Sequence, residues 1–149
     1  MRVPLVSLGS RAATIAGFHT EGCDESLWSH IYNPGRLEVL NKCISVTGTV
    51  ARVKKEADGD YSIQLMPDKG YEGLLNEHNF DRQEGALVVR AICQTKDKDK
   101  KEECKNFDKQ IEIPARGAHV RVTGSYVLNR TTIYSWAEIY PATTITVIP

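Results

Sequence analysis

Hydrophobic and polar residues alternate in five segments of the chain, and a period of two residues is typical of β-strands with one buried face. In the first segment Ile44, Val46 and Val50 share one face and Thr47 lies on the other. In the last segment Ile133, Ala137 and Ile139 take the buried face. The pattern predicts strands at 37–53, 61–65, 86–95, 119–129 and 132–140.

Turn signals and charged runs divide these strands. Pro34-Gly35 closes an N-terminal arm over residues 1–36, and residues 37–149 form the predicted domain. Residues 66–80 read as a loop with one helical turn, and the charged run 96–109 as a short helical insertion between strands three and four. The β-branched residues 142–148 predict a C-terminal strand extension that pairs with a strand edge.

Two strands carry Val-Thr-Gly, ending at Gly48 and Gly124. Glycine inside a strand marks a bulge or a sharp bend, which a small barrel needs in order to close. Five strands with bending glycines in the first and fourth predict an all-β, OB-fold Greek-key barrel. The alternative, an immunoglobulin-like sandwich, usually needs seven strands.

Composition narrows the classes of protein. The 149 residues are 41% hydrophobic, which suits one packed domain, and no segment is long and apolar enough to span a bilayer, so we expect no membrane insertion. The 19 basic and 19 acidic residues give a formal net charge of zero. Nucleic acid is therefore a less favoured partner, because phosphate binding usually shows as a basic excess.

The four cysteines include no C-x-x-C pair, so a zinc site is not expected. A disulfide between Cys93 and Cys104 would tie the charged insertion at its base. A second bridge between Cys23 and Cys43 would fasten the arm to the first strand. Four buried free thiols in a cytosolic protein are the alternative, but an even count in a small domain favours an oxidising compartment.

Acidic side chains suggest a calcium site. Asp58 and Asp60 flank a glycine in the turn after the first strand, Asp68 lies in the next loop, and Glu138 lies in strand five. Carboxylate oxygens at a flexible turn are ligands that Ca²⁺ prefers. The alternative is a hairpin turn that uses Asp-Gly for its backbone shape alone.

Aromatic residues predict a ligand-binding or interface surface. Tyr134, Trp136 and Tyr140 share one face of strand five with Glu138, and Tyr61 begins strand two. Such a row can stack sugars or bases, dock another subunit, or be covered by the chain's own arm.

Basic residues on the strands and a glycosylation triplet complete the candidate features. The basic strip of strands one and four is interpreted as a solvated edge; it consists of Arg52, Lys54, Lys55 and Arg121. Asn129-Arg130-Thr131 is a glycosylation sequon on the expected turn between strands four and five. We therefore expect Asn129 to lie at the surface.

Six motifs resemble, in order, a group of prokaryotic OB-fold domain proteins of uncharacterised function, many of them exported: CISVTGTV, DGDY-x-I-x-L, GYEGLLN, LVVRAIC, HVRVTGSYVL and W-x-E-I-x-P. The resemblance covers about residues 37–145 and implies the fold rather than an activity. Three histidines usual in that family are absent, since Ser62, Tyr134-Ser135 and Tyr140 stand in their places.

The residues contain no convincing catalytic constellation, so we expect a non-enzymatic module. The first hypothesis is an extracellular or cell-surface protein that self-associates into an oligomer or fibre by strand addition through its arm or tail, with calcium as a stabiliser. The second is an OB domain that binds oligosaccharide or, less favoured, single-stranded nucleic acid. The third, a metal-dependent nuclease, lacks the second acidic motif that such enzymes use.

Overall fold

The computed structural model describes residues 18–130 and 133–149. These residues form five strands, and the strand order β1-β2-β3-β5-β4 closes into a barrel because β4 also pairs with β1. All neighbouring pairs are antiparallel except β3 and β5, which are parallel. The strands are β1 Leu37–Lys55, β2 Tyr61–Pro67, β3 Leu87–Ala91, β4 His119–Asn129 and β5 Ala137–Val147.

The expected strands are all present, but several differ in extent: β1 and β2 each run two residues beyond the predicted end, and β3 is limited to Leu87–Ala91. Residues 142–147 do pair with a strand edge, but as the second half of β5 against β4. The fifth strand begins at Ala137 rather than at residue 132. Ile133 does not face the core, since its side chain is 84% exposed.

Helical segments within the described residues are short. The α-helix that we label α1 runs over Glu77–Arg82, and Asn76 caps it by accepting the backbone N–H groups of His78 and Asn79. The charged insertion contains 3₁₀ turns at Lys96–Lys100 and Glu102–Cys104. The remaining 3₁₀ turns lie at Glu25–His30, Pro34–Arg36 and Glu72–Leu74.

The two mid-strand glycines allow neighbouring backbones to approach closely. A Cβ atom on Gly48 would lie 2.4 Å from the carbonyl oxygen of Met66, and one on Gly124 would lie 2.6 Å from that of Pro141. No side chain fits either space, and the ladder between β4 and β5 is irregular on both sides of Gly124. The glycines therefore lie where the barrel wall bends, as the sequence predicts.

Apolar side chains form two cores, one inside the barrel and one outside its wall. Alternation along the strands explains both, since Tyr126 and Ile139 point inward whereas Val127 and Tyr140 point outward. The outer core is completed by Leu27 and Ile31 of the arm and by Cys104 and Phe107 of the insertion, together with Leu37, which begins β1, and Ile92 and Cys93, which directly follow β3.

The arm docks on its own barrel from Phe18 onward. The backbone N–H of Thr20 donates to the carbonyl of Cys43 at 2.9 Å, and that of Ser45 donates to the carbonyl of Phe18. Both predicted disulfides are present, Cys23–Cys43 and Cys93–Cys104. Residues 1–17, which the self-association hypothesis uses, lie outside the described residues.

Candidate functional site

The register of the barrel aligns outward-facing polar residues across its wall. Arg52 on β1 lies opposite Gln64 on β2, Gln64 lies opposite Val88 on β3, and Val88 lies opposite Glu138 on β5. A second row lies two residues away along each strand and consists of Lys54, Ser62 and Arg90. Adjacent strands are about 4.8 Å apart, so each row places its side chains within reach of one ligand.

These rows form the floor of a depression that we call the barrel groove. Its volume is about 460 Å³, and its further lining residues are Glu56, Arg82, Gln83, Glu84 and Trp136. A second depression of about 620 Å³ shares Arg52, Gln64, Gln83 and Glu84 with it. That second part is more apolar, with Ala51, Val53, Met66, Ala86, Pro114 and Ala115 in its lining. The two depressions make one elongated surface with a charged aromatic end and an apolar end.

Helix α1 holds the segment that carries Trp136. Asn76 Nδ2 donates to the carbonyl of Ser135 at 2.6 Å, and the buried Asn79 pairs with both backbone polar groups of Ala137. The ring of Tyr134 contacts His78 edge-on at 5.4 Å, and the guanidinium carbon of Arg82 lies 3.5 Å from its centroid. The aromatic end of the barrel groove is therefore fixed by side chains of the helix and its cap.

Glu138 lies beneath this aromatic end and is 1% exposed. Its Oε2 accepts the indole N–H of Trp136 at 2.7 Å, and its Oε1 accepts from Asn129 Nδ2 at 3.4 Å. Burial raises the pKa of Glu138 above its ordinary value, and the nearby Arg90 guanidinium opposes that shift. The carboxylate orients the indole of Trp136 rather than facing solvent.

Arg90 joins the groove to the turn before β2. Its Nη2 donates to Asp58 Oδ2 at 3.0 Å and to Asp60 Oδ2 at 3.2 Å, and its guanidinium lies over the ring of Tyr140 at 4.8 Å. Asp60 Oδ1 also accepts the backbone N–H of Cys93. Burial raises the pKa of Asp60 to about 6, with Arg90 lowering it and Asp58 raising it further. The lone arginine in the apolar run LVVRAIC is the sequence signal for this network, and hydrophobic alternation alone does not reveal it.

The predicted calcium ligands do not all meet. Asp58 and Asp60 converge on Arg90, but Asp68 follows the opposite end of β2, about 26 Å away at 3.3 Å for each residue of a strand. Asp68 Oδ2 instead accepts hydrogen bonds from His119 Nε2 and Thr47 Oγ1. Within residues 18–130 and 133–149 no group of three or more His, Cys, Asp or Glu side chains is arranged to hold a metal ion. Calcium binding stays a prediction.

The predicted aromatic surface is divided by the structure. Tyr134 and Trp136 are half-buried at the groove, whereas Tyr140 lies in the outer core, where its hydroxyl accepts from Arg36 Nη2 at 2.8 Å. The chain's own arm and insertion therefore cover Tyr140. Tyr61 shares the inward parity of Ile63 and Leu65 and is not a groove residue.

Two further sequence expectations change. Asn129 is the last residue of β4 and is 7% exposed, so the prediction that it lies on a surface turn is wrong. A glycan on its Nδ2 would displace the contact with Glu138. Arg52 and Lys54 of the predicted basic strip line the groove, whereas Lys55 and Arg121 are exposed strand residues outside its lining.

No family model matches the chain, and no curated protein is significantly similar to it in sequence. Among the described residues, no helix has the length and apolar content needed to cross a membrane. Two disulfides in one small domain are typical of proteins that fold in an oxidising environment.

Proposed function

We propose that this chain is an exported, non-enzymatic OB-type module that binds a linear oligosaccharide in the barrel groove. The observation that carries the proposal is the elongated depression over the outer faces of β1, β2 and β3, with Trp136 at one end. The outer face of strands two and three, with the loops that flank it, is where OB-folds bind oligosaccharides and oligonucleotides. The strand order β1-β2-β3-β5-β4 with a closed wall supports the OB-type assignment.

The groove chemistry suits a sugar. The ring of Trp136 is half-buried and hydrogen-bonded through its N–H to Glu138, so its position is fixed before a ligand arrives. The apolar C–H face of a pyranose packs on such a ring, while Ser62, Gln64 and Arg52 supply donors and acceptors for hydroxyl groups. An open, half-polar groove of this kind binds a chain along its length rather than enclosing a small molecule.

The self-association hypothesis has less support. The C-terminal strand that it offered for addition to a neighbour is paired with β4 of its own barrel. The other candidate segment, residues 1–17, lies outside the described residues. The oxidising environment indicated by the disulfides fits an extracellular or cell-surface location under either hypothesis.

The proposal is tested by the fluorescence of Trp136. The chain has two tryptophans, and Trp28 lies in the outer core, so W28F leaves Trp136 as a single reporter in the groove. Titration with hexasaccharides of defined composition should shift its emission with saturation. Calorimetry on W136A should show at least tenfold weaker binding, because the stacking surface is lost. Y32A is the matched control, since Tyr32 is exposed and lies outside the groove lining. Absence of saturable binding to any hexasaccharide at millimolar concentration would refute the proposal.

A further inference from the structure

Arg82 presents a pre-oriented guanidinium to the barrel groove. It lies at the end of α1, and its guanidinium carbon is 3.5 Å from the centroid of the Tyr134 ring. That ring is itself held edge-on by His78. A planar guanidinium already placed on an aromatic ring loses less side-chain freedom when it forms paired hydrogen bonds with a ligand anion.

Arg52 provides a second cation on the opposite wall. It projects outward from β1 and lines both depressions of the elongated surface. Its guanidinium forms no ion pair or side-chain hydrogen bond within residues 18–130 and 133–149. An exposed arginine without a partner, placed at the middle of a groove, is available to a ligand.

The other cations of the groove are already neutralised. Lys54 Nζ lies 3.9 Å from Glu56 Oε1, and Arg90 is paired with Asp58 and Asp60. The acidic groups are similarly engaged, since Glu138 is buried against Trp136. Glu84 is an exposed carboxylate in the middle of the elongated surface, where it would oppose an anionic ligand group. Arg82 Nε lies 4.0 Å from Asp81 Oδ1, a contact that does not involve its Nη groups. The exposed Arg116 lines the apolar end of the elongated surface. The charges open to a ligand are thus three arginines, Arg52, Arg82 and Arg116, against one glutamate.

This balance of charges favours one of two kinds of anionic polymer as the ligand of the groove. A single-stranded nucleic acid carries one phosphate on every nucleotide and is bound by runs of cations with several stacking rings. The elongated surface offers three spaced arginines, of which Arg82 also contacts Asp81, together with an opposing glutamate and the single indole of Trp136, and the whole chain has a formal net charge of +0. A sugar chain with separated acidic groups and apolar ring faces fits this arrangement better.

We infer that the barrel groove binds a linear oligosaccharide whose units carry carboxylate or sulfate groups, and that Arg82 and Arg52 are the residues that select for those groups. The inference rests on the proposed oligosaccharide-binding function. Arg82 forms a two-pronged pair with one anionic group next to the ring that stacks on Trp136, and Arg52 contacts a second group further along the chain.

The experiment compares three hexasaccharides by calorimetry: an oligogalacturonate, a heparin fragment and the neutral cellohexaose. We expect an acidic hexasaccharide to bind at least tenfold more tightly than the neutral one. The difference in affinity between the oligogalacturonate and the heparin fragment shows whether the groove prefers carboxylate or sulfate groups. R82Q should weaken acidic binding about tenfold and weaken neutral binding much less, because only the acidic chain loses an ionic contact. R82K should recover only part of the loss, because an ammonium lacks the planar fork. R52Q should lower acidic affinity as well.

R121Q is the matched control, since it removes the same charge from an exposed position of β4 outside the groove. Equal affinity for neutral and acidic hexasaccharides, unaffected by R82Q, would overturn the inference and leave the proposed function standing. Binding of no hexasaccharide would overturn both. Tighter binding of a dT oligomer, with a steep loss of affinity in salt, would replace both with a nucleic-acid function.

Discussion

The side chain of Asn79 pairs with both backbone polar groups of Ala137. Its Oδ1 accepts the Ala137 N–H at 3.0 Å and its Nδ2 donates to the Ala137 carbonyl at 3.0 Å, as a neighbouring strand would. Nδ2 also donates to the carbonyl of Ala86 at 2.8 Å. One buried amide thereby joins helix α1 to the first residue of β5 and the chain before β3.

We predict that N79A destabilises the protein by about 2–4 kcal/mol, because it leaves buried backbone groups of Ala137 and Ala86 without partners. N79D should cost at least as much, since a carboxylate cannot donate to the two carbonyls. Urea unfolding measures the difference. Q110A, a truncation at an exposed position, should change stability by less than about 0.5 kcal/mol. If N79A matched Q110A, the amide would not be the link between these elements.

The alternation of apolar and polar residues predicts the strands because one face of each strand points into the barrel interior. The observed bounds of β4, His119–Asn129, match the predicted ones. The same alternation continues through Ile133 and Trp136, which precede β5. Here Asn76 Nδ2 donates to the carbonyl of Ser135, and the N–H of Asn129 donates to the carbonyl of Trp136 at 3.2 Å. A sequence pattern cannot show which partner a backbone group finds, so the fifth strand was predicted to begin too early.

The site was only partly predictable for a related reason. Trp136 was predicted as a ligand residue from its neighbours in sequence, but the row Arg52, Gln64, Val88 and Glu138 draws one residue from each of four strands. Strand register sets that row, and register depends on pairings between residues far apart in the chain. The cover over Tyr140 is equally long-range, since Arg36 reaches its hydroxyl across 104 positions.

The ring of His119 links the end of β2 to the end of the chain. Its Nε2 lies 2.6 Å from Asp68 Oδ2 and its Nδ1 lies 2.6 Å from the carbonyl oxygen of Pro149. Only the protonated imidazole donates to both acceptors. These hydrogen bonds raise the pKa of His119 above 6.5, and the pKa of Asp68 is lowered below 3.8 by its bonds with His119 and Thr47.

We predict that this pair stabilises the fold most in mildly acidic solution. The contribution of His119 is fully present below its unfolded pKa and is lost as the pH rises through the raised folded value. That of Asp68 is lost as the pH falls through its lowered value. The melting temperature of the wild type should exceed that of H119Q more at about pH 5.5 than at about pH 9. In an NMR titration D68N should lower the His119 midpoint, and an unmoved midpoint would contradict the pairing.

The two disulfides close loops of different length and also differ in what they hold. Cys93 and Cys104 are separated by 11 positions and lie inside the outer core, whereas Cys23 and Cys43 are separated by 20 positions and tie the arm to β1. Loop-closure entropy gives each bond about 3 kcal/mol. The double variant C93A/C104A should lose more stability than C23A/C43A, because it also removes two buried sulfur atoms from packed surroundings. Thermal unfolding without reductant measures both, and the reverse order would show that docking of the arm dominates.

The buried Asp60 should give the protein a second pH dependence, which arises from burial of its carboxyl group rather than from hydrogen bonds. Its folded pKa of about 6 exceeds the ordinary value of 3.8, chiefly because of burial. The folded protein therefore holds this proton more tightly than the unfolded chain, and its stabilising effect is lost as the pH rises from about 4 to about 6. The loss is on the order of 3 kcal/mol at about 1.4 kcal/mol for each pH unit between the two values.

D60N cannot ionise, so the difference in unfolding free energy between wild type and D60N should change by this amount between pH 4 and 6.5 and stay constant above. Urea unfolding across that range measures it. D58N is the matched control, because Asp58 accepts from the same Nη2 of Arg90 and its charge raises the pKa of Asp60. D58N should keep a step, but a smaller one that ends at lower pH, because it lowers the folded pKa of Asp60 towards the unfolded value. A wild-type curve parallel to that of D60N throughout would show that Asp60 ionises at its ordinary pKa despite its burial.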